Sequence, residues 1–511
     1  MARQFICNPD YPVVETKYGK LRGFVLDGIF TFHGIQYAKA ARFHMPEEPD
    51  SWEGIKDACS YGCTAPTMAT PVPSGEILIP HRFWPENENC QFLNIWSPSI
   101  DRSAKKPVIV WYHGGGYADG SSIEQVAYEG DALAAYGDAV VVTVNHRLNI
   151  LGFLDLSSYG EEYANSANAG MADIVASLQW IHENIEGFGG DPDNVTVFGQ
   201  SGGGGKVCTL LQTPAAAGLF HKAVMMSGGA GSMKMGEDVD HKIIVDIMLD
   251  ELGFDNVKKL EKIPYTLLVK VFNRACRKAG HTPGWEPKAN GWYLGHPLDV
   301  GFSEYAKKVP TIVSSVIAEF GGFMPPEDAE SKYPGHAEEV FAAFAKAYPD
   351  KDRSLVTKID TWARPGILEF MKKRAASAPE ACGYSYVFTL HFDVLGGTPA
   401  WHCSDIPFVF HNSCRVGNCN IEGVTERLEE EMAGALIAFA KTGDPNHAGM
   451  PEWRPFTETD HASMFFDRES RCEADRDTEL IGLAVKYAKP FELHFDVPAD
   501  EGEEDGKLWM Y

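Results

Sequence analysis

Residues 194–213 read NVTVFGQSGGGGKVCTLLQT, a β-branched apolar run, then a glycine-framed serine, then a stretch of helical character. Strand, tight turn and helix in that order are the setting in which a G-x-S-x-G pentapeptide (Gly199 to Gly203) lifts its serine onto a sharp backbone turn. The flanking glycines let neighbouring backbone come close where a Cβ would collide. The pentapeptide is common in a chain with 50 glycines, so its meaning depends on what surrounds it.

Outward from this stretch, PVIVWYH (107–113), AVVVTVNH (139–146) and KAVMMSG (222–228) are short apolar, mostly β-branched runs of the kind that form strands buried on both faces. Between the second run and the serine lies MADIVASLQWIHENIEGF (171–188), with Ile174, Leu178, Ile181 and Ile185 at helical spacing. Strand and helix therefore alternate, which predicts a wound, mostly parallel α/β sheet flanked by helices. The pattern lapses over 233–300, where HKIIVDIMLDEL and TLLVKVFNRACRKA predict helices inserted beside the sheet. It resumes at VPTIVSSVIAEF (309–320), lapses again over 336–378, and returns in YSYVFTLHF (384–392). Neither interruption has linker composition, so the expectation is one domain over 1–511 with two helical insertions. The acidic PADEGEEDGK (498–507) reads as the start of a solvated tail ending at 511.

Some ninety residues before the serine, His113-Gly114-Gly115-Gly116-Tyr117 follows a predicted strand. Consecutive glycines free several amides to aim at one point, which is what the oxyanion of acyl transfer requires. Gly115, Gly116 and Gly202 are the candidate donors, and Ser201 is the candidate nucleophile. A serine hydroxyl needs a histidine base and an acid behind it, both C-terminal to it with the acid first in such a sheet. Glu319 closes an apolar run and precedes Phe320-Gly321-Gly322, which makes it a favourite among several acids. For the base, His391, His402 and His411 all follow late strands; His402 leads because it sits in a loop beyond two glycines, whereas His391 falls inside a predicted strand.

Lys and Arg number 45 against 71 Asp and Glu, a formal charge of -26. So negative a surface repels phosphate backbones and anionic lipid headgroups, which argues against nucleic-acid and membrane partners. The first residues, MARQFICNPDYPVVET, lack a basic start followed by a long apolar stretch, and no later run is long enough to span a bilayer; a cytoplasmic protein is expected. The eleven cysteines are odd in number and scattered, which predicts mostly free thiols. Cys414 and Cys419 have no second pair beside them to complete a zinc site, so neither metal nor cofactor is expected.

Taken together, these residues resemble the type-B carboxylesterase and cholinesterase family, over a span from about 12 to about 495. The likeness includes ENENCQFLNIW (86–96), VNHRLNILGF (144–153), NAGMADIVASLQWIHENIEGFGGDP (168–192), AEFGGF (318–323), AWHCSDIPFVF (400–410) and FAKTGDPN (439–446). The resemblance implies an α/β-hydrolase fold with helical insertions over the active-site gorge, and a serine carboxylesterase acting on a small-molecule ester through an acyl-enzyme. It implies Ser201 as nucleophile, Glu319 as acid, His402 as base, and the amides of Gly115, Gly116 and Gly202 as the oxyanion hole. It further implies a structural ion pair between Glu88 and Arg147 and a buried polar role for Ser227. The same triad could act on carbamates, amides or thioesters, and some relatives of this fold are silent adhesion or scaffold proteins.

Departures from the family pattern carry information too. Gln200 stands where a Glu usually precedes the nucleophile, which weakens the case for a cationic choline ester. Ala65 falls where the family often has a Cys paired with the position of Cys90, although Cys63 lies two residues away. Gly202 replaces the usual Ala and Asp405 the usual Glu, changes that keep the backbone donor and the carboxylate. Pocket-forming stretches such as 68–84 and 233–300 leave the substrate unread; Phe83, Trp84, Trp285, Trp292 and Tyr293 within them are expected to be core by default.

Overall fold

A computed structural model describes residues 4–68, 81–231, 239–323 and 327–488. Most of the 68–84 loop and the whole acidic tail from 498 lie outside the described residues.

Among the described residues twelve strands form the central sheet: β1 (Phe5–Ile6), β2 (Phe24–Leu26), β3 (Ile29–Gln36), β4 (Phe92–Ser97), β5 (Lys106–Tyr112), β6 (Val140–Val144), β7 (Gly190–Gln200), β8 (Lys222–Met226), β9 (Thr311–Val316), β10 (Gly383–Phe388), β11 (Ala462–Phe466) and β12 (Arg471–Ala474). Their spatial order is β1-β2-β3-β4-β6-β5-β7-β8-β9-β10-β11-β12. Every pairing from β6 through β11 is parallel, and antiparallel strands extend both edges. The parallel strands are the continuous apolar runs of the sequence, and every residue of β6, β9 and β10 is buried, as a sheet covered on both faces requires.

The chain reverses direction across the sheet after β6: β5 pairs with β6 on one side and with β7 on the other. Loops leaving the carboxyl ends of β5 and β7 therefore part at this switch point and leave a crevice between them. Gly114 to Gly116 and Ser201 are those loops.

Helix α1 (Ala169–Asn184) crosses from β6 to β7, with Ile174, Leu178 and Ile181 buried as their spacing predicted. Helix α2 (Gly202–Leu211) begins on the residue after Ser201 and is wholly buried. The first insertion holds α3 (His241–Leu252) and α4 (Tyr265–Ala279), and the second α5 (Ala337–Ala347) and α6 (Ala363–Ser377). The run 384–392 is not one strand. β10 ends at Phe388, Thr389 turns its amide to Phe466 O (2.8 Å), and His391–Phe392 pair instead with Thr398–Pro399. One hydrophobic cluster runs without a break from Val14 to Ala484 and includes side chains of both insertions.

Candidate active site

Ser201 has φ 57° and ψ −125°, a conformation that costs a non-glycine residue on the order of 1–3 kcal/mol and must be imposed by its surroundings. Its amide donates to Met226 O (2.7 Å) and its carbonyl accepts from the Gly205 amide (3.1 Å), which ties the turn to β8 and to the first turn of α2. The framing glycines are there for space. A Cβ on Gly203 would lie 2.0 Å from Tyr112 O, and one on Gly199 would lie 2.4 Å from Gly203 C. The sequence-based role of these two glycines holds.

Across the crevice, Gly115 (φ 79°) and Gly116 (φ 63°) bend the loop after β5 back toward the serine. A Cβ on Gly114 would sit 3.3 Å from Ser201 Cβ, and one on Gly202 would lie 2.1 Å from Gly116 O. The loop has thus closed onto the space that a side chain at 202 would fill. Three peptide carbonyls here are pinned from behind. Gly115 O accepts the amides of Ala118 (3.1 Å) and Asp119 (3.0 Å), Ser201 O accepts Gly205, and Gly114 O lies 3.0 Å from His113 Nδ1 and 3.5 Å from Lys206 Nζ. Because a trans peptide points its carbonyl and its N–H in opposite directions, each pinned carbonyl turns the next amide the other way. Those next amides belong to Gly116, Gly202 and Gly115, and none of them donates a hydrogen bond among the described residues.

Glu319 and His402 are 83 positions apart, and the backbone brings them side by side. Ala318 N donates to Ala400 O (3.2 Å) and His402 N to Glu319 O (2.9 Å), so two loops run alongside each other at the carboxyl end of β9. His402 Nδ1 then lies 2.6 Å from Glu319 Oε2, while Glu319 Oε1 accepts the Val316 amide (3.1 Å). Nδ1 carries the proton toward the carboxylate, which leaves Nε2 as the basic nitrogen. Phe320 and Trp362 hold the ring, with centroids 4.5 and 5.8 Å away.

Gln200 completes this side. Its Nε2 is 3.2 Å from His402 Nε2 and 3.4 Å from Nδ1, and its Oε1 accepts the Cys403 thiol at 3.2 Å. No hydrogen bond joins Ser201 Oγ to His402 among the described residues, and His402 Nε2 faces the Gln200 amide instead; contacts of this kind commonly tighten only with substrate bound. The other candidate bases lie elsewhere, His391 in the hairpin with Thr398–Pro399 and His411 stacked on Tyr136.

Two further carboxyls near Glu319 are buried: Asp360, which was not singled out from the sequence, and Asp405, noted there only as standing in for the usual Glu. Asp360 accepts the amides of Trp362 (2.7 Å), Ala363 (3.0 Å) and Arg364 (2.6 Å) at the start of α6, and burial, with the Glu319 charge second, pushes it up to about 7. An Asp two to four residues before a helix was the signal available for it. Asp405 accepts the Tyr386 hydroxyl (2.8 Å) and is likewise pushed up to about 7 by burial and, less strongly, by Glu319.

Several expectations need correction or refinement. Glu88 and Arg147 are not a pair. Arg147 is bidentate to Asp173 of α1 (Nη2–Oδ1 2.7 Å, Nε–Oδ2 2.8 Å), both fully buried, whereas Glu88 is partly exposed and is taken by Arg42 (Nε–Oε2 2.8 Å). A guanidinium so deeply buried needs a carboxylate buried with it. Phe83 and Trp84 are not core, being 59% and 38% exposed beside the undescribed 69–80 segment, while Trp285 and Tyr293 are buried. Ser227 is fully buried and its hydroxyl has no partner among the described residues. Cys90 packs on Ala65 and Leu148, and all eleven cysteines are free thiols. No group of three or more metal-ligating side chains occurs among the described residues, and no helix among them is long and apolar enough to cross a membrane.

The model of the carboxylesterase family matches residues 10–358 and 351–480. A para-nitrobenzyl esterase of Bacillus subtilis is 32% identical over 498 residues, covering 92% of this chain and 97% of that protein. Among solved structures, an esterase from anaerobic Clostridium hathewayi described as able to hydrolyse aliphatic aromatic polyesters superposes with a TM-score of 0.91 at 48% identity, covering 95% of this chain and 100% of that one. A Geobacillus stearothermophilus carboxylesterase superposes at 0.74 with 33% identity, covering 92% and 99%. With its strand order, its serine turn and these likenesses over almost its whole length, the chain belongs to the carboxylesterase family, has the α/β-hydrolase fold, and is a serine carboxylic ester hydrolase acting on small-molecule esters.

Proposed function

We propose that Ser201 is the nucleophile of this esterase, His402 its general base, Glu319 the acid that orients His402, and the amides of Gly115, Gly116 and Gly202 its oxyanion hole. The observation that carries the reading is the 2.6 Å contact between His402 Nδ1 and Glu319 Oε2 beside a strained serine turn. His402 Nε2 takes the Ser201 proton as Oγ attacks the ester carbonyl. The oxyanion is received by amides whose carbonyls are already held, so little reorganisation is needed at that moment. Nε2 then gives its proton to the departing alcohol, and water activated by the same nitrogen releases the acid.

The substrate class is neutral esters, because Gln200 puts an amide rather than a carboxylate beside the imidazole. Likeness to the polyester-hydrolysing Clostridium hathewayi esterase supports aliphatic–aromatic esters within that class. One catalytic unit is proposed, formed by the sheet and both insertions: His296 Nε2 of the first lies 3.0 Å from Gly229 O, and Trp362 of the second stands on His402. A reducing, cytoplasmic setting is supported by Cys90 facing Ala65 and not a second sulfur. The formal charge of -26 supports a protein that engages neither nucleic acid nor an anionic membrane.

Hydrolysis of a short-chain nitrophenyl ester by the native protein and by Ser201→Ala tests the catalytic assignment. The variant is expected to lose at least about 10³-fold in kcat, and a phosphonate ester is expected to label native Ser201 stoichiometrically; equal rates in the two proteins would overturn the assignment. Release of monomer from an aliphatic–aromatic polyester film tests the substrate class.

A further inference from the structure

Lys206 lies on α2 five residues beyond Ser201 and is completely buried. Its Nζ donates to His113 O at 2.9 Å and stands 3.5 Å from Gly114 O, and the ammonium lies 6.0 Å over the Tyr117 ring. All three partners are in the HGGGY loop. No carboxylate comes within salt-bridge distance of Lys206 among the described residues; the nearest influence of that sign is Glu124, itself bonded to the Ser121 amide (3.1 Å). The two imidazoles that feel the Lys206 charge, His113 and His146, are buried and stacked, and burial and that charge hold both well below the ordinary histidine range. The ammonium is therefore met by carbonyl dipoles and neutral rings.

An unpaired buried lysine is costly, burial pushing this one down to about 7, and a core position on a glycine-rich helix could hold an apolar residue instead. What the lysine does that an apolar residue cannot is grip carbonyls of a loop with three successive glycines. Gly116 N and Gly202 N are oriented by backbone hydrogen bonds to the carbonyls before them, whereas Gly114 and Gly115 depend on side chains.

We propose that Lys206 is a positioning residue for oxyanion stabilisation: by holding the carbonyls of His113 and Gly114 from the buried side, it aims the loop amides at the oxygen that becomes negative in acyl transfer. The proposal rests on the reading of Gly115 and Gly116 as oxyanion donors. It ties the helix that begins just after the nucleophile to the loop that receives the oxyanion, so the two halves of the crevice keep register.

The test compares native protein, Lys206→Met and Ser201→Ala in turnover of a nitrophenyl ester and in inhibition by an alkyl trifluoromethyl ketone, which adds to a serine and forms an anionic tetrahedral adduct. Lys206→Met is expected to lower kcat roughly 10- to 100-fold, with KM changed less than about threefold, and to weaken the ketone by the same factor as kcat/KM. A merely structural lysine would lower the melting temperature without tying ketone affinity to kcat/KM. If Lys206→Met aggregates, Lys206→Gln, too short to span the same distance, carries the same comparison. Native kcat and native ketone affinity in the folded variant overturn the proposal; if Ser201→Ala is inactive in the same assays, the catalytic reading survives that result. Activity retained by Ser201→Ala would instead remove the reading on which the proposal stands.

Discussion

The two sides of the crevice are built by different physics. On the nucleophile side, from Tyr112 to Tyr117 and from Gly199 to Lys206, position is set mainly by backbone, with the His113 and Lys206 side chains holding the carbonyls of Gly114 and His113. Carbonyls are pinned, two glycines take positive φ, and Cβ atoms at 199, 202 and 203 would fall within 2.0–2.4 Å of other main-chain atoms. On the acid–base side, position is set by side chains converging across long sequence gaps: Glu319 with His402, Gln200 with both His402 and Cys403, and the buried carboxyls of Asp360 and Asp405 close enough to feel the Glu319 charge. The first side stores its cost as strain and close packing, with the buried Lys206 ammonium added, the second as buried carboxyl charge. Lys206 apart, changes of shape should therefore damage the first side most and changes of charge the second.

The largest effect expected in this comparison is a loss of charge without a change of shape on the acid–base side. Glu319→Gln keeps the length of the side chain, but the amide presents either a donor or a weaker acceptor to His402 Nδ1, and the imidazolium loses its counter-charge. A fall in kcat of about 10³–10⁴-fold is expected, with folding cooperativity intact. Steady-state kinetics with circular dichroism melting checks both; a variant that kept a tenth of native kcat would mean that orientation by shape suffices on this side too.

This division also explains what was legible in the sequence. Glycine is required wherever backbone meets backbone, so the elbow and the HGGGY loop appear as compact motifs, and the strands before them as apolar runs, because sterics act over a few residues. The acid–base side leaves almost no local trace. Nothing in the neighbourhood of Glu319 announces a histidine 83 positions later, and the pairing of Ala318 with Ala400 and of Glu319 with His402 is a property of the folded sheet. Family resemblance supplied that link and also supplied one that fails, since Arg147 takes Asp173 and leaves Glu88 to Arg42. The failure is physical: a resemblance carries residue types forward but not which of several carboxylates is buried deeply enough to match a buried guanidinium. Lys206 is in plain view five residues after Ser201, but a lysine in a helix reads as solvated until its tertiary surroundings are known.

A change of shape without charge should strike the nucleophile side next most severely. Gly202→Ala introduces a residue usual at this position in the family, yet its Cβ would lie 2.1 Å from Gly116 O and 2.4 Å from Gly116 Cα. Main chain cannot swing aside as a side-chain tip can, so the loop must retreat and carry the Gly115 and Gly116 amides with it. Roughly a 10- to 100-fold fall in kcat is expected, in line with the loss of about one oxyanion donor, with KM little changed. Native turnover in Gly202→Ala would show that the loop moves freely, and the contrast between a backbone-set side and a side-chain-set side would dissolve.

The smallest effect sits in pH dependence and probes the acid–base side alone. Asp405 is buried, its Oδ2 accepts the Tyr386 hydroxyl, and its Oδ1 has no partner among the described residues. Its folded-state carboxyl is pushed up to about 7, against about 3.9 in an unfolded chain. Below about pH 4 the group is protonated in both states and costs nothing. Between about 4 and 7 the folded state holds the proton more tightly than the unfolded state, so its contribution turns against folding as pH rises, and the full cost is reached above 7. Asp405→Asn keeps a carbonyl for Tyr386 and removes the ionisation. Relative to the native protein, its stability in urea should therefore improve steadily from pH 4 to pH 7, by roughly 1–3 kcal/mol, and then level off. A stability difference that is flat across that range would mean Asp405 carries no buried charge, leaving Glu319 and Asp360 to account for the charge on this side. A difference that goes on growing on the alkaline side of 7 would mean that burial raises the Asp405 carboxyl further still, since the cost of a raised carboxyl accumulates until its folded-state value is passed.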